Sequence, residues 1–190
     1  GATYNDGSRV GNCQYSNMTI FSFHPVKVIA AGEGGIITTN DFSLYHKLTL
    51  LRSHGITKGN FVFPGISQKD DSLINKDDAL ENGELRSWYY EMQYLGYNYR
   101  ITDIQCALAI SQMDKIEMFI AARRSMAKFY DQGFAEVPNI TPLQDHGRND
   151  SSHHIYLVKI DFENIGISRH QFMQKLAEQG IGSQVHYIPV

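Results

Sequence analysis

A chain of 190 residues, 42% apolar and 12% aromatic, can bury one core, or one domain plus part of another, and does not have the composition of a disordered polypeptide. A formal charge of −3 and a pI near 6.2 give no diffuse basic field, so neither nucleic acid nor an anionic membrane is an expected partner. Cys13 and Cys106 match no metal or CxxC spacing in a chain too large to need a disulfide staple, which points to a reducing cytoplasm. No apolar run approaches the roughly 20 residues that span a bilayer. The opening GATYNDGSRVGN has no signal-peptide h-region, so export by that route is not expected.

Ala2 to Tyr4 and Ser8 to Val10 flank Asn5-Asp6-Gly7, a turn tripeptide suited to positive φ, and read as a hairpin. Met18 to Phe23 and Gly35 to Thr39 are short apolar or β-branched runs that suit strands buried in a sheet. Asn40 or Asp41 can cap a helix with Leu44, Leu48 and Leu51 at helical spacing, and Gly55 is its C′ stop. From Ile56 to Tyr90 the periodicity fades, and KDDSLINKDDALENGE is dense in Asp, Asn and Lys. This reads as a long exposed excursion, either functional or a solvated insertion. Trp88, Tyr89 and Tyr90 are expected in a core or an interface rather than as a stacking platform.

Thr102 and Gln105 form a capping box ahead of Ile104, Ala107 and Leu108, so a helix starts there and Tyr97 to Arg100 precede its N-terminus. Ile116, Phe119, Ile120, Arg123, Ala127 and Tyr130 continue as a second helix to about Phe134, which ends before Pro138. HHIYLVKI then reads as a strand, Ser168 and Gln171 as the capping box of a helix ending at Gly180, and IGSQVHYI as a strand again. Adjacent residues on a strand point to opposite faces, so His153-His154 is not read as a metal pair.

Between the first two apolar runs lies FSFHPVKVIAAGEGG, residues 21–35, with one lysine among small residues. Lys27 has three readings. It can be a solvated surface lysine, as most are. It can serve a phosphate loop, although GEGG lacks the GxxxxGK[ST] order and the lysine precedes the glycines. It can form a Schiff base: a desolvated lysine supplies the neutral amine that condenses with an aldehyde, and Ala30, Ala31, Gly32, Gly34 and Gly35 leave room for a planar cofactor near the backbone.

SFHPVKVIAAGEGGIITTND resembles the lysine segment of the DegT/StrS family of pyridoxal-phosphate sugar aminotransferases; LGYNYRITDIQCALAISQ resembles its second signature block and GSQVHYIPV its C-terminal one. Within the family, RSHGI, WYYEMQYLGYNYRITDIQCAL and VHYIPV look most like the aminotransferases that act on UDP-4-keto-6-deoxy-N-acetylaltrosamine in pseudaminic acid synthesis. The resemblance implies an α/β, fold-type-I architecture, related to aspartate aminotransferase. Residues 1–113 would be the latter part of the large three-layer domain that binds pyridoxal 5′-phosphate, and residues 114–190 most of the small C-terminal domain. It implies that Lys27 forms the Schiff base and shuttles a proton at the substrate carbon. Ser22 would bind the cofactor phosphate, and Asn98 would reach that phosphate from the neighbouring subunit of a homodimer with shared sites. Arg100 would take the carboxylate of L-glutamate, which leaves as 2-oxoglutarate, while His186 and Tyr187 would border the nucleotide-sugar pocket.

Each of these residues also has a plain structural role open to it: Ser22 in a strand end, Asn98 in a turn, Arg100 in a surface ion pair, and His24 in packing. Full-length members of the family carry a further half before the hairpin, with the carboxylate for the pyridinium nitrogen and the aromatic that stacks on the ring. The resemblance therefore implies that this chain is an internal fragment, inactive alone. Two rivals stand beside the aminotransferase: a related sugar dehydratase, against which Lys27 argues because those relatives carry histidine there, and a non-catalytic protein kept for binding or assembly.

Overall fold

Gly7, at φ +80°, turns the chain after Asn5 and Asp6, and the expected first hairpin forms. Tyr4 N–H donates to Ser8 O at 2.8 Å, and Thr3 and Arg9 make an antiparallel bridge. The computed structural model describes residues 1–58, 80–82, 84–143 and 151–188. It divides into two compact units, Gly1–Ile116 and Glu117–Val190.

In the first unit, β1 (Thr19–Ser22) and β2 (Gly35–Thr38) pair antiparallel, with Thr19 opposite Thr38 and Ser22 opposite Gly35. The sequence places both strands in a buried sheet; the structure shows a two-stranded ribbon instead. Thr19 and Phe21 turn one face inward, while alternation sends Ile20 to the other face, where it is 74% exposed. No third strand among the described residues extends this pair.

Helix α1 (Phe42–Arg52) starts where Asp41 Oδ1 accepts from Ser43 N at 2.7 Å and Leu44 N at 3.2 Å. The Ser43 hydroxyl, then the two amides, hold the Asp41 carboxyl below its usual range. The end of α1 differs from expectation. His54, not Gly55, is the first left-handed residue at φ +61°, and Gly55 N–H returns to Leu50 O at 2.8 Å. Gly55 is required for a further reason: a Cβ there would sit 1.8 Å from Tyr94 O.

Ile56 and Thr57, assigned from the sequence to the exposed excursion, form β3 (Ile56–Thr57), and Thr57 is buried. The partner of β3 lies far along the chain, out of reach of any local pattern. β4 (Leu80–Glu81) and β5 (Glu84–Leu85) make a small hairpin, and β6 (Glu91–Met92) pairs antiparallel with β3. Residues 59–79 and 83 of the expected excursion lie outside the described residues. Trp88 and Tyr90 are not core: both are more than half exposed, and the Arg86 guanidinium lies 5.6 Å from the Trp88 ring centroid.

Helix α2 (Asp103–Met113) begins at the expected capping box, and its Ala109 is buried. Helix α3 (Ile116–Phe134) buries Ile120 and Ala127, two turns apart on one face. β7 (Ile140–Pro142) and β8 (Val158–Ile160) pair antiparallel. The HHIYLVKI strand is thus confined to its last three residues. His153 has φ +46°, and Arg123 takes the carbonyls of His153 and His154 at 3.1 Å each, leaving them unavailable to a ladder. The alternation argument about the two histidines therefore does not apply.

After a one-turn helix, α4 (Phe162–Ile165), the Ser168 capping box opens α5 (Arg169–Glu178), and Gly180 follows at φ +74° as expected. Residues 181–188, read from the sequence as a strand, have no ladder partner among the described residues and are exposed throughout. Their alternating pattern supplies one face of a strand, but a strand also needs a neighbour for its backbone. Both cysteines are free thiols. No helix among the described residues is long and apolar enough to cross a membrane.

Candidate active site

The loop joining β1 to β2 carries Lys27, and local chemistry shapes it. Phe23 N–H donates to Gly34 O at 2.8 Å and closes the loop; Ala31 N–H folds it back on Phe23 O at 2.9 Å. His24-Pro25-Val26-Lys27 is a tight turn in which Lys27 N–H donates to His24 O at 2.9 Å. Proline at the second position presets the φ that such a turn needs. The turn has side-chain support, since Ser22 Oγ accepts from His24 N at 3.3 Å and His24 Nδ1 from Val26 N at 3.4 Å. Beyond the lysine, Ile29 and Ala31 are buried, Ala31 to 1% exposure, and anchor the loop in its unit. Lys27 itself is half-buried.

The small residues around the lysine have specific reasons to be small. A Cβ on Gly35 would lie 2.6 Å from Phe21 O, and one on Gly34, at φ +130°, would lie 3.0 Å from Ile101 Cδ1. Gly32, at φ +80°, faces open space with no heavy atom within 4 Å of an added Cβ. The loop thus carries a half-buried lysine, and of these three glycines Gly32 faces open space while Gly34 and Gly35 are packed on the protein's own atoms.

Asn98 and Arg100 are held by the end of α1. His54 N–H donates to Tyr97 O at 3.0 Å, Tyr99 N–H to Arg52 O at 2.9 Å, and Ser53 and Asn98 form an antiparallel bridge. Tyr97 and Tyr99, alternate residues of this extended run, stack with centroids 5.2 Å apart. Asn98 and Arg100 are exposed. The run leads straight into the α2 capping box, where Gln105 Nε2 also donates to Glu33 O at 2.8 Å.

The structure therefore places Ser22 at the end of β1 and Lys27 in the loop that follows, and ties that loop to the segment carrying Asn98 and Arg100. His186 and Tyr187 belong to the other unit, on the extended run after α5, with ring centroids 3.6 Å apart. His24, read from the sequence as packing, is half-exposed, and its Nε2 lies 3.8 Å from Glu33 Oε1. The contact of Gln105 and Ile101 with the loop was not anticipated. Its one sequence signal is the choice of Gln at a capping position that accepts Glu equally well.

All 190 residues match the DegT/DnrJ/EryC1/StrS aminotransferase family. The chain is 34% identical over 174 residues to the UDP-4-amino-4,6-dideoxy-N-acetyl-beta-L-altrosamine transaminase of Campylobacter jejuni, covering 92% of this chain and 39% of that protein. Among solved structures it is similar to Helicobacter pylori PseC, an aminotransferase involved in the biosynthesis of pseudoaminic acid. The TM-score is 0.75 at 30% identity, over 99% of this chain and 43% of that one. A putative sugar aminotransferase, Spr1654 from Streptococcus pneumoniae in its PLP form, follows with a TM-score of 0.73 at 28% identity, over 98% of this chain and 41% of that one. The chain thus spans about two fifths of the length of the relatives it matches. Its fold is the corresponding portion of a fold-type-I transferase, and the cofactor of such proteins is pyridoxal 5′-phosphate. The residues present suit that group: an amine for its aldehyde, a hydroxyl for its phosphate, and open space at Gly32, where no heavy atom stands within 4 Å of an added Cβ.

Proposed function

Because the chain belongs to the DegT/DnrJ/EryC1/StrS aminotransferase family, we propose that the whole protein is a nucleotide-sugar aminotransferase. It moves the amino group of L-glutamate to the C4 ketone of a nucleotide-linked 4-keto-6-deoxy sugar, with UDP-4-keto-6-deoxy-N-acetylaltrosamine as the first substrate to try. The altrosamine transaminase and pseudoaminic acid relatives support that substrate. The observation that carries the reading is Lys27 at the end of a proline turn, half-buried, in a loop whose Gly32 faces open space.

When bound, pyridoxal phosphate supplies an electron sink for the carbon that loses or gains the amino group. Lys27 holds the cofactor through Nζ and then moves a proton at the α-carbon of the amino donor, serving as anchor first and general acid/base second. Ser22 Oγ already accepts a bond from His24 N, which leaves its proton to donate to a phosphate oxygen. Asn98 gives its amide to the phosphate bound in the neighbouring subunit, so the active unit is a homodimer with shared sites. The Arg100 fork takes the glutamate carboxylate. His186 and Tyr187 border the nucleotide sugar. In this reading residues 1–113 belong to the large cofactor-binding domain and 114–190 to the small one. The protein works in the cytoplasm, where its nucleotide-linked substrate and glutamate are made.

Borohydride treatment of the full-length holoenzyme tests this: the cofactor should become fixed to the peptide containing Lys27. Lys27→Ala should abolish amine transfer from glutamate while leaving some cofactor binding, and Lys27→Arg should not restore it, because a guanidinium stays protonated. Labelling at Lys47 or Lys58 instead overturns the assignment.

A further inference from the structure

Gln105 does two things at once. Its Oε1 accepts from Thr102 N at 3.1 Å and from Thr102 Oγ1 at 2.9 Å, while Thr102 Oγ1 accepts from Gln105 N at 3.3 Å. Both lone pairs of the amide oxygen are then used in capping α2. Its Nε2 reaches across to Glu33 O in the lysine loop at 2.8 Å. The two tasks settle which end of the amide is which, since the reverse orientation would set N–H against N–H at the cap and oxygen against oxygen at the loop. A glutamate would cap equally well. Only the second bond calls for an amide.

Three further features show that this contact is built. Ile101, just before the cap, packs on Gly34 closely enough that a Cβ there would lie 3.0 Å from its Cδ1. Ala109, one turn beyond Gln105 on the same side of α2, is buried, so this face of the helix points inward. Glu33 itself lies between Ala31, the most buried apolar residue described, and the Phe23–Gly34 bond that closes the loop. The Glu33 carboxylate also lies 3.8 Å from His24 Nε2, and His24 O receives Lys27 N–H. Both His24 and Glu33 are substantially exposed, so that pair adds little by itself. The hydrogen bond from the Gln105 amide is also exposed, but at 2.8 Å against 3.8 Å it is the closer tie.

We propose that Gln105 is a positioning residue. It fixes the lysine loop to the first turn of α2 and thereby sets Lys27 in register with the Asn98–Arg100 segment that enters that helix. The inference rests on the assignment of Lys27 as the cofactor lysine, but the mechanical part of it does not need the cofactor.

The full-length holoenzyme with Gln105→Glu provides the test, because glutamate keeps the cap, removes the donor to Glu33 O and turns a carboxylate toward that carbonyl. Amide hydrogen exchange in the peptide spanning residues 24–34 should rise about fivefold, as for the loss of one hydrogen bond at constant fold. The visible-band circular dichroism of the cofactor should weaken, while the thermal midpoint stays close to that of the parent. Thr102→Ala should do the opposite, lowering the midpoint with little change in loop exchange. If Gln105→Glu does not yield folded protein, comparing Gln105→Ala, which loses cap and bridge, with Thr102→Ala, which weakens the cap alone, isolates the bridge. Unchanged loop exchange in Gln105→Glu, or loop exchange that merely tracks the midpoint across all variants, overturns the proposal. If borohydride fixes no cofactor on Lys27 of the parent, the functional assignment fails while loop exchange still decides whether Gln105 holds the loop.

Discussion

Gly55→Ala probes the frame that carries Asn98. Gly55 has φ +66°, a conformation that costs an alanine about 1 kcal/mol. The larger problem is space, because the new Cβ would sit 1.8 Å from Tyr94 O, a backbone atom that cannot rotate away. Gly96 closes the same approach from the other side, with Gly55 N only 2.5 Å from where its own Cβ would be. Relief requires separating residues 53–57 from 93–98. That strains Gln93 N–H to Gly55 O at 2.8 Å, Tyr94 N–H to Gly55 O at 3.4 Å, and His54 N–H to Tyr97 O at 3.0 Å. At a net contribution of about 1 kcal/mol each, plus the φ term, the expected cost is about 3 to 4 kcal/mol. Gly133→Ala is the control: it lies in the last turn of α3, nothing stands within 4 Å of an added Cβ, and no positive φ is involved. It should stabilise by a few tenths to about 1 kcal/mol. Urea unfolding of the full-length protein measures both, and cofactor affinity should fall in Gly55→Ala alone because Asn98 moves with its strand. A loss below about 1 kcal/mol in Gly55→Ala would show that the 93–98 segment yields cheaply and does not fix Asn98.

Asn98→Ala should weaken cofactor binding to the full-length protein by about 1 to 3 kcal/mol, the cost of losing a hydrogen bond to a charged group, as read by cofactor titration. Mixing Asn98→Ala with Lys27→Ala subunits should restore activity, since one site of each hybrid escapes both lesions; confirmed hybrids without activity would place Asn98 in its own chain's chemistry or in none. Tyr156 donates to Asp131 Oδ1 at 2.7 Å, and desolvation followed by that bond raises its phenol above the usual value near 10. A raised folded value stabilises the protein below the unfolded one and loses that stabilisation as pH climbs beyond it. Urea midpoints between pH 9 and pH 11 should therefore fall more steeply in the parent than in Tyr156→Phe, and parallel curves would refute the linkage.

What could be read from the sequence was what a few neighbouring residues decide among themselves. Asp41, the Thr102–Gln105 box and the Ser168–Gln171 box each carry their own hydrogen-bond partners within three residues, so the helix starts followed from side-chain chemistry alone. Asn5-Asp6-Gly7 made its hairpin for the same reason. The end of α1 was missed by one residue, His54 taking the left-handed φ ahead of Gly55, and the larger failures involve a partner elsewhere. Ile56 and Thr57 are a strand only because Glu91 and Met92 lie beside them. HHIYLVKI loses the start of its strand where Arg123 of α3 takes the carbonyls of His153 and His154. IGSQVHYI alternates correctly and still forms no ladder, since a pattern specifies a face and not a neighbour.

The candidate site divides along the same line. The residues alone left Lys27 open between a surface amine, a phosphate loop and a Schiff base, and the resemblance chose among them; the turn that carries it is local, supported by Ser22 and Pro25. The relation of that loop to Asn98 and Arg100 was legible only as two separate blocks. What joins them is one side-chain amide, at a position that local reasoning had already explained as a cap. A residue with a sufficient local role conceals a second, distant one. The concealed role leaves a trace only where the local role would accept two residue types and the distant one accepts a single type. At position 105 the cap accepts Gln or Glu, while the carbonyl of Glu33 requires a donor, so the amide is the part of the sequence that records the tertiary contact.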